Sequence, residues 1–148
     1  MATLDESFHA HIFAYFWCSQ FGNSARPIHL LVDTGCSTTT ILSDDVTRLG
    51  INCAGLNQAT RPTSTANGLV LPYIMPNVKF VMEFYHGWFN HANDLIGVDM
   101  SEVHCHPPTN PQQMTRLRIL GAYSLLGMDF LRYFKKWKFS NGFLYIDT

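Results

Sequence analysis

The alternation of apolar and polar residues predicts β-strands along most of the chain. In residues 8–17 every second residue belongs to one apolar face, and residues 78–85 alternate in the same way. Shorter β-branched or apolar runs in residues 28–32, 38–42, 117–120 and 124–126 predict further strands. Short strands separated by turn residues are typical of an all-β domain.

Two Asn-Gly pairs predict hairpins. Asn67-Gly68 lies between residues 63–66 and 69–71, and it favours a type I′ turn because both central residues need positive φ. Asn141-Gly142 separates residues 136–139 from 143–147 in the same manner. Pro72 and Pro76 follow the first hairpin. Because proline cannot donate to a strand ladder, we expect the return strand of that hairpin to lie at an edge or to project from the body.

Short helical segments complete the pattern. Ser43 is expected to cap a helix over residues 44–49, with two acidic residues in its first turn and Gly50 at its end. Residues 128–134 predict one or two helical turns. Residues 86–116 show no clear period and contain three prolines, so we expect mostly loop there, with a short strand or two.

The composition bears on size and assembly. The 148 residues fit one domain with a substantial core. Hydrophobic residues make up 47% of the chain and charged residues 14%, which is more apolar surface than a compact monomer needs to hide, and a dimer interface is one outlet for it. The formal net charge of −1 gives no overall field for nucleic acid or an acidic membrane, so neither partner is expected.

The local distribution of charge and the cysteines say less about function than the overall composition does. The chain contains six basic and two acidic residues after residue 115. This excess of positive charge fits a solvated surface around the last hairpin, with a polyanion-binding patch as the alternative. The four cysteines form no Cys-x-x-Cys pair, the N-terminal residues lack the basic region of a signal peptide, and no apolar run is long enough for a membrane span. We therefore expect free thiols and a cytoplasmic location.

The segment Leu31-Val32-Asp33-Thr34-Gly35 carries the strongest chemical signal. Asp-Thr-Gly alone is weak, because an aspartate at a strand end is often only a turn former. Here an apolar strand precedes Asp33, and the small and hydroxyl-bearing run Cys36-Ser37-Thr38-Thr39-Thr40 follows it. Leu125-Leu126-Gly127 lies far downstream. The context therefore favours a catalytic aspartate.

These segments and the first hairpin resemble the retropepsin-like aspartic proteases, the family of the retroviral proteases. The resemblance covers roughly residues 8–85 and 117–147, and it extends through Gly127-Met128-Asp129-Phe130-Leu131. Residues 86–116 have no clear counterpart and are expected to be an insertion within a single domain of residues 1–148. The resemblance implies a closed acid-protease barrel with one or two short helices and a flap hairpin. It also implies a homodimer, because only one Asp-Thr-Gly is present.

The resemblance implies a role for each motif residue. Asp33 from each of two subunits would supply a pair of carboxyls that activates a water molecule. Thr34 would fix the loop across the dimer, and Gly35 would let the backbone approach the substrate. Substrate-binding residues would be Ser37 and the flap residues Ala66, Asn67 and Gly68. Structural residues beside the active site would be Cys36, Leu125, Leu126 and Gly127, and residues 143–147 would contribute to the dimer interface.

Three further features of the sequence need an interpretation of their own. Cys36 departs from the family pattern, which usually has Ala or Ser there, and is interpreted as a small buried thiol, with a redox switch as the alternative. Asp129 is expected to be a helix-starting acid. His104-Cys105-His106 is interpreted as polar surface because it fits no regular zinc spacing, with a metal-binding β-protein that uses this histidine loop as the alternative. No metal and no cofactor are expected.

The sequence thus predicts an aspartic endopeptidase that hydrolyses a peptide bound as an added strand under the flap. The alternative is a catalytically silent module that keeps the fold for dimerisation or peptide binding.

Overall fold

The computed structural model of the chain describes residues 11–65, 68–85, 93–108, 123–140 and 143–147. Within these ranges the strands are β1 (His11–Trp17), β2 (Arg26–Val32), β3 (Thr40–Ile41), β4 (Asn57–Gln58), β5 (Thr63–Thr65), β6 (Gly68–Val70), β7 (Tyr73–Tyr85), β8 (Asn93–Cys105), β9 (Ser124–Leu126), β10 (Lys136–Ser140) and β11 (Phe143–Asp147). The α-helices are α1 (Ser43–Leu49) and α2 (Met128–Leu131), and a 3-10 helix spans Ser19–Phe21. None of the described helices is long and apolar enough to cross a membrane.

Six strands form a closed barrel. They follow the order β1-β2-β9-β3-β8-β7, and β7 also pairs with β1 and so completes the ring. β4 extends the sheet beyond β7, while β5–β6 and β10–β11 form separate two-stranded sheets. The predicted all-β class, with a closed barrel and short helices, is confirmed.

The core fills the barrel because alternate residues of each strand point inward. On β1, Ala14 and Phe16 are buried while Phe13 and Tyr15 are exposed, as the sequence pattern predicts. The buried rings of Phe16, Phe80 and Phe130 follow one another, with centroid separations of 5.2 Å and 6.3 Å. This aromatic contact holds α2 against the inside of the sheet.

β8 corrects the prediction for residues 86–116. Instead of mostly loop, Asn93–Cys105 form a 13-residue strand that pairs antiparallel with β7. In both strands the alternation of buried and exposed residues is interrupted once. Two consecutive exposed residues, 76 and 77, separate the buried Met75 from the buried Val78, and residues 101 and 102 separate Met100 from Val103 in the same way. The simple alternation is therefore broken in the middle of each strand. That residues 86–116 are an insertion relative to the family stays a prediction.

The start of α1 also differs from the prediction. Leu42 occupies the N-cap position in an extended conformation, and Ser43 is the first helical residue, so the expected cap by Ser43 is wrong. The Leu42 N–H instead donates to the Ser124 hydroxyl at 2.9 Å, which joins the helix start to β9. At the other end Gly50 adopts the left-handed conformation with φ 70°, as expected for a helix-terminating glycine.

The hairpins form where the Asn-Gly pairs predict them, with one shift in register. Thr65 pairs with Gly68, so the loop between β5 and β6 consists of residues 66 and 67 rather than of Asn67-Gly68. Residues 66 and 67 themselves, like the predicted strand 117–120, lie outside the described residues. β6 projects in its own two-stranded sheet, as the following prolines predict.

Pro76 lies inside β7, opposite Glu102 of β8, and its other side faces a gap between the strands that pair with β7. β7 pairs with β4 through Tyr73 and Ile74 and with β1 through residues 79–81. Pro76 falls between these two pairings, so its missing N–H interrupts neither ladder.

Candidate active site

Asp33 stands at the end of a strand that is fixed on both sides. β2 pairs antiparallel with β1 and parallel with β9, where Leu30–Val32 lie opposite Ser124–Leu126. The Asp33 N–H extends this pairing by donating to the Leu126 carbonyl oxygen at 2.9 Å. Val32 and Leu126 are buried, so apolar burial fixes the point at which the chain emerges as the motif.

The motif turns tightly around its own carboxylate. The Gly35 N–H donates to Asp33 Oδ1 at 2.9 Å, and the Cys36 N–H donates to the Asp33 carbonyl oxygen at 3.2 Å. A Cβ on Gly35 would lie 3.2 Å from Asp33 Oδ1, which shows how closely the backbone passes. Asp33 is half-buried, whereas Thr34 and Gly35 are exposed. The structure therefore presents an oriented carboxylate at the barrel surface.

Gly127 crosses directly over the loop that follows the motif. A Cβ at this position would lie 2.7 Å from the Cys36 carbonyl oxygen and 2.9 Å from the Thr38 carbonyl carbon, so no side chain fits. The glycine is required by this close approach, since its φ of −92° is accessible to any residue. Beyond it, the Met128 N–H donates to the Cys36 carbonyl oxygen at 2.8 Å, and the Asp129 N–H donates to the Ser37 carbonyl oxygen at 3.2 Å.

Asp129 lies in the first turn of α2, as predicted, and it has a second structural role that the sequence did not predict. Its carboxylate accepts the Thr39 N–H at 2.9 Å on each oxygen and the Thr39 hydroxyl at 2.7 Å on Oδ1. The Thr39 hydroxyl in turn accepts the Gly127 N–H at 3.0 Å. Thr39 is fully buried and Asp129 is half-buried, so this network lies at the edge of the protein interior. An acid at the start of α2 and a run of threonines are visible in the sequence, but no local pattern pairs Asp129 with Thr39.

Cys36 is half-buried rather than buried, and its thiol is engaged within the loop. Its Sγ donates to the Thr38 carbonyl oxygen at 2.9 Å and lies 4.0 Å from the Thr40 hydroxyl. Burial raises the pKa of the Cys36 thiol, and the nearby carboxylates of Asp33 and Asp129 act in the same direction, against the lowering effect of the two hydrogen bonds. The thiol is therefore in its neutral, weakly nucleophilic form at neutral pH.

The remaining predicted site residues have fewer contacts with the Asp33 loop. Ser37 is exposed, and its backbone oxygen is occupied by Asp129. Ala66 and Asn67 lie outside the described residues. Gly68 begins β6 with φ 112°, and a Cβ there would meet open space. Leu125 is half-buried beside Leu31 in the strand pair that leads to the motif.

The histidine-containing end of β8 is part of the barrel. Cys105 is buried, and this burial, together with Cys53 and Cys18, raises the pKa of its thiol to about 12. His106 is buried as well, and burial lowers the pKa of its imidazole. Among the residues that the structure describes, no group of three or more His, Cys, Asp or Glu side chains is placed to hold a metal ion.

Comparison with known proteins agrees with the class of protein that the motif indicates. A family model described as aspartyl protease matches residues 20–83, which include Asp33, Thr34 and Gly35, the whole of α1 and the β5–β6 hairpin. The predicted resemblance to the aspartic proteases is therefore confirmed over this part of the chain.

Solved structures add a likeness that is more distant. A retropepsin-like aspartic protease from Rickettsia conorii matches with a TM-score of 0.48 and 21% sequence identity, over 89% of this chain and 76% of that chain. No curated protein sequence matches the chain significantly.

Proposed function

We propose that this chain is an aspartic endopeptidase that acts as a homodimer, with Asp33 of each subunit in a shared active site. The observation that supports this most directly is the Asp33 carboxylate. It is oriented by the Gly35 N–H at 2.9 Å and stands on a loop bonded to residues 126–129. A turn-forming aspartate alone would not need so many fixed contacts around it.

The chemistry explains why a second copy is needed. Hydrolysis by this route uses one carboxylate to take a proton from water and one carboxylic acid to polarise the scissile carbonyl. Two carboxyls about 3 Å apart share one proton, since both cannot ionise at that distance. The sequence contains a single Asp-Thr-Gly. The exposed Thr34 beside Asp33 leaves the motif accessible to its counterpart on another subunit.

The β5–β6 hairpin is proposed to be the flap. It forms its own sheet, and Thr63, Ser64 and Leu69 are exposed along it, Leu69 to 73%. Such a hairpin can close over an extended peptide, offer backbone hydrogen bonds to it and exclude water from the carboxyls.

The decisive experiment compares two aspartate-to-asparagine variants on a diverse peptide library. Asp33→Asn should lower the cleavage rate at least about 100-fold, because it removes the acid–base group while changing few atoms. Asp99→Asn is the matched control. The Asp99 side chain lies on β8, is 81% exposed and forms a surface ion pair with Lys79 at 3.5 Å, so its replacement should have little effect. Both variants should keep the wild-type melting temperature.

Two results would contradict the proposal. Unchanged turnover in Asp33→Asn would remove Asp33 from the mechanism. A folded, dimeric wild-type protein that cleaves no library peptide between about pH 3 and pH 9 would favour the silent peptide-binding or dimerisation module.

The dimer is tested separately by measuring activity and sedimentation over the same range of protein concentration. Specific activity should fall in proportion to the dimer fraction, because a monomer holds one carboxyl of the pair. Rate against pH should follow a bell, since the pair is competent only while it holds one proton. An active monomer would exclude the shared site.

A further inference from the structure

A hydrogen-bonded polar network joins β9 to α1 on the side of the barrel away from the Asp33 loop. Ser124 begins β9 and is fully buried. Its hydroxyl donates to Asp45 Oδ2 at 2.6 Å and accepts the Leu42 N–H at 2.9 Å. Because a serine hydroxyl has a single proton to donate, these two contacts fix its orientation and tie the first residue of β9 to the start of the helix.

The Asp45 carboxylate connects this hydroxyl to a second strand. Its other oxygen, Oδ1, accepts hydrogen bonds from Arg48 Nη2 at 2.8 Å and from Nε at 3.0 Å. Arg48 Nη1 donates to the Pro27 carbonyl oxygen on β2 at 3.0 Å. The Asp45 side chain is only 16% exposed, so water competes little for its oxygens. One helix therefore holds both the strand that ends at Asp33 and the strand that accepts the Asp33 N–H.

β9 depends on such an anchor because it is short. It has three residues, each opposite one residue of β2, and the last of them, Leu126, accepts the Asp33 N–H at 2.9 Å. Ser124 precedes Leu126 by two residues, so its hydroxyl holds the strand about 7 Å from that hydrogen bond. A strand with so few ladder bonds is held in place partly by its side chains. If β9 shifted along β2, the Leu126 carbonyl oxygen would move and the Asp33 loop with it.

We propose that Ser124 and Asp45 are positioning residues for Asp33. They hold β9 in register with β2, and β9 in turn holds the Asp33 carboxylate where it meets the peptide and the second carboxyl. Such placement matters because an error of about 1 Å can lower a rate about 100-fold. The inference rests on the proposed function for its effect on cleavage, but the coupling between Ser124 and Asp33 is measured without any substrate.

Amide hydrogen exchange followed by NMR tests this coupling. In Ser124→Ala the Asp33 N–H should exchange at least about tenfold faster than in wild type, while the amides of the β7–β8 pair keep their rates, because only β9 loses its anchor. Val46→Ala is the control. Val46 is a fully buried residue of α1, and its truncation destabilises the fold through a cavity without removing an atom of the network. A selective change at Asp33 in both variants, or in neither, would overturn the proposal.

Two variants of Asp45 give a second measurement, which decides the matter if Ser124→Ala does not fold. Asp45→Asn keeps an oxygen that accepts the Ser124 hydroxyl, whereas Asp45→Ala leaves this hydroxyl without its acceptor. Exchange of the Asp33 N–H should therefore rise in Asp45→Ala and be largely restored in Asp45→Asn. Equal rates in the two variants would mean that the hydrogen bond to Ser124 does not position Asp33.

Cleavage separates the positioning role from the proposed function. Ser124→Ala should lower kcat at least about tenfold and change KM less than about twofold, because the carboxylate moves and the peptide-binding surface does not. Val46→Ala, assayed at the same interval below its own melting temperature, should keep the wild-type kcat.

The two proposals can fail independently. If exchange at Asp33 responds as expected but the wild-type protein cleaves no peptide, the coupling between Ser124 and Asp33 stands and the endopeptidase assignment fails. If Ser124→Ala cleaves peptides with the wild-type kcat, the endopeptidase stands and the positioning role fails.

Discussion

The loop after Asp33 and the β5–β6 hairpin differ in how they are attached to the barrel. The backbone groups of Cys36, Ser37 and Thr39 are each bonded to residues 127–129, and Thr39 is buried. The hairpin pairs with itself, and its described side chains are largely exposed. Local opening costs little where few buried contacts are lost. The loop that orients the Asp33 carboxylate is therefore fixed at several points, whereas the described part of the hairpin has fewer attachments to the barrel and should open at a lower cost in free energy.

The largest effect on this contrast is expected from Gly127→Ala. The added Cβ would lie 2.7 Å from a backbone oxygen and 2.9 Å from a backbone carbon, and neither atom belongs to a flexible side chain. Overpacking of this kind costs about 1–3 kcal/mol or more, which corresponds to roughly 2–4 °C in melting temperature per kcal/mol at this chain length. The melting temperature and the cleavage rate should both fall. A melt like that of wild type would mean that the crossing at Gly127 is not tight.

Asp129→Asn should have the next largest effect. The amide cannot accept the Thr39 N–H on both sides, and it loses the charge that strengthens these hydrogen bonds, at a cost of about 1–3 kcal/mol. Thr39→Val should cost a similar amount because it leaves the Gly127 N–H without its acceptor, and Thr39→Ser should restore most of it. Chemical denaturation measures all three. Equal stability of Thr39→Val and Thr39→Ser would rule out a role for the hydroxyl.

Gly68→Val tests the other side of the comparison and should change stability less. Gly68 has φ 112°, so a β-branched residue there is strained locally by about 1–3 kcal/mol, although a Cβ meets no atom. Global stability should fall less than this, because the barrel does not depend on a hairpin that forms its own sheet. We expect a small change in melting and a much larger loss of turnover. Leu69→Val, on the same strand, is the control for β-branching alone. If Gly68→Val prevents folding, the hairpin is part of the core; if it leaves turnover unchanged, the hairpin is not the flap.

The smallest effect concerns Cys36. Because burial raises the pKa of its thiol, Cys36 should react with iodoacetamide at neutral pH more slowly than the same residue in the denatured chain. Mass spectrometry of labelled peptides measures this ratio. Labelling at the denatured rate would show that the loop opens frequently and would weaken the contrast with the hairpin.

Sequence patterns predicted the local features and missed those that depend on distant residues. The Asp33 motif, the strand β1 and both hairpins follow from neighbouring residues, and the structure contains them. The contact between Asp129 and Thr39 joins positions 90 residues apart, and no local pattern specifies it. The start of α1 likewise depends on a distant residue, since the Leu42 N–H donates to the Ser124 hydroxyl of β9, 82 residues away.

β8 was missed because its pattern follows the barrel rather than a flat strand. Residues 101 and 102 are both exposed, so the apolar positions before and after them belong to different phases. A period-two test over the whole segment averages these phases and finds no strand. Opposite them on β7, Pro76 and Asn77 are exposed as well, and Asn77 has a positive φ of 53°.

The alternation of buried and exposed residues is thus interrupted at the same level in β7 and β8. This level divides the two-stranded ribbon that they form into two parts, which pair with different strands. One half of β7 pairs with β4, and the other half pairs with β1 and closes the barrel. The length of β7 is therefore coupled to closure of the barrel. One residue added near Asn77 would turn every side chain beyond it to the opposite face, and one residue added to β8 as well would restore the pairing of the two strands but not their faces. The two strands should therefore accept two residues added to each of them at the same level, which keeps both the faces and the register, and should not accept a single residue added to each.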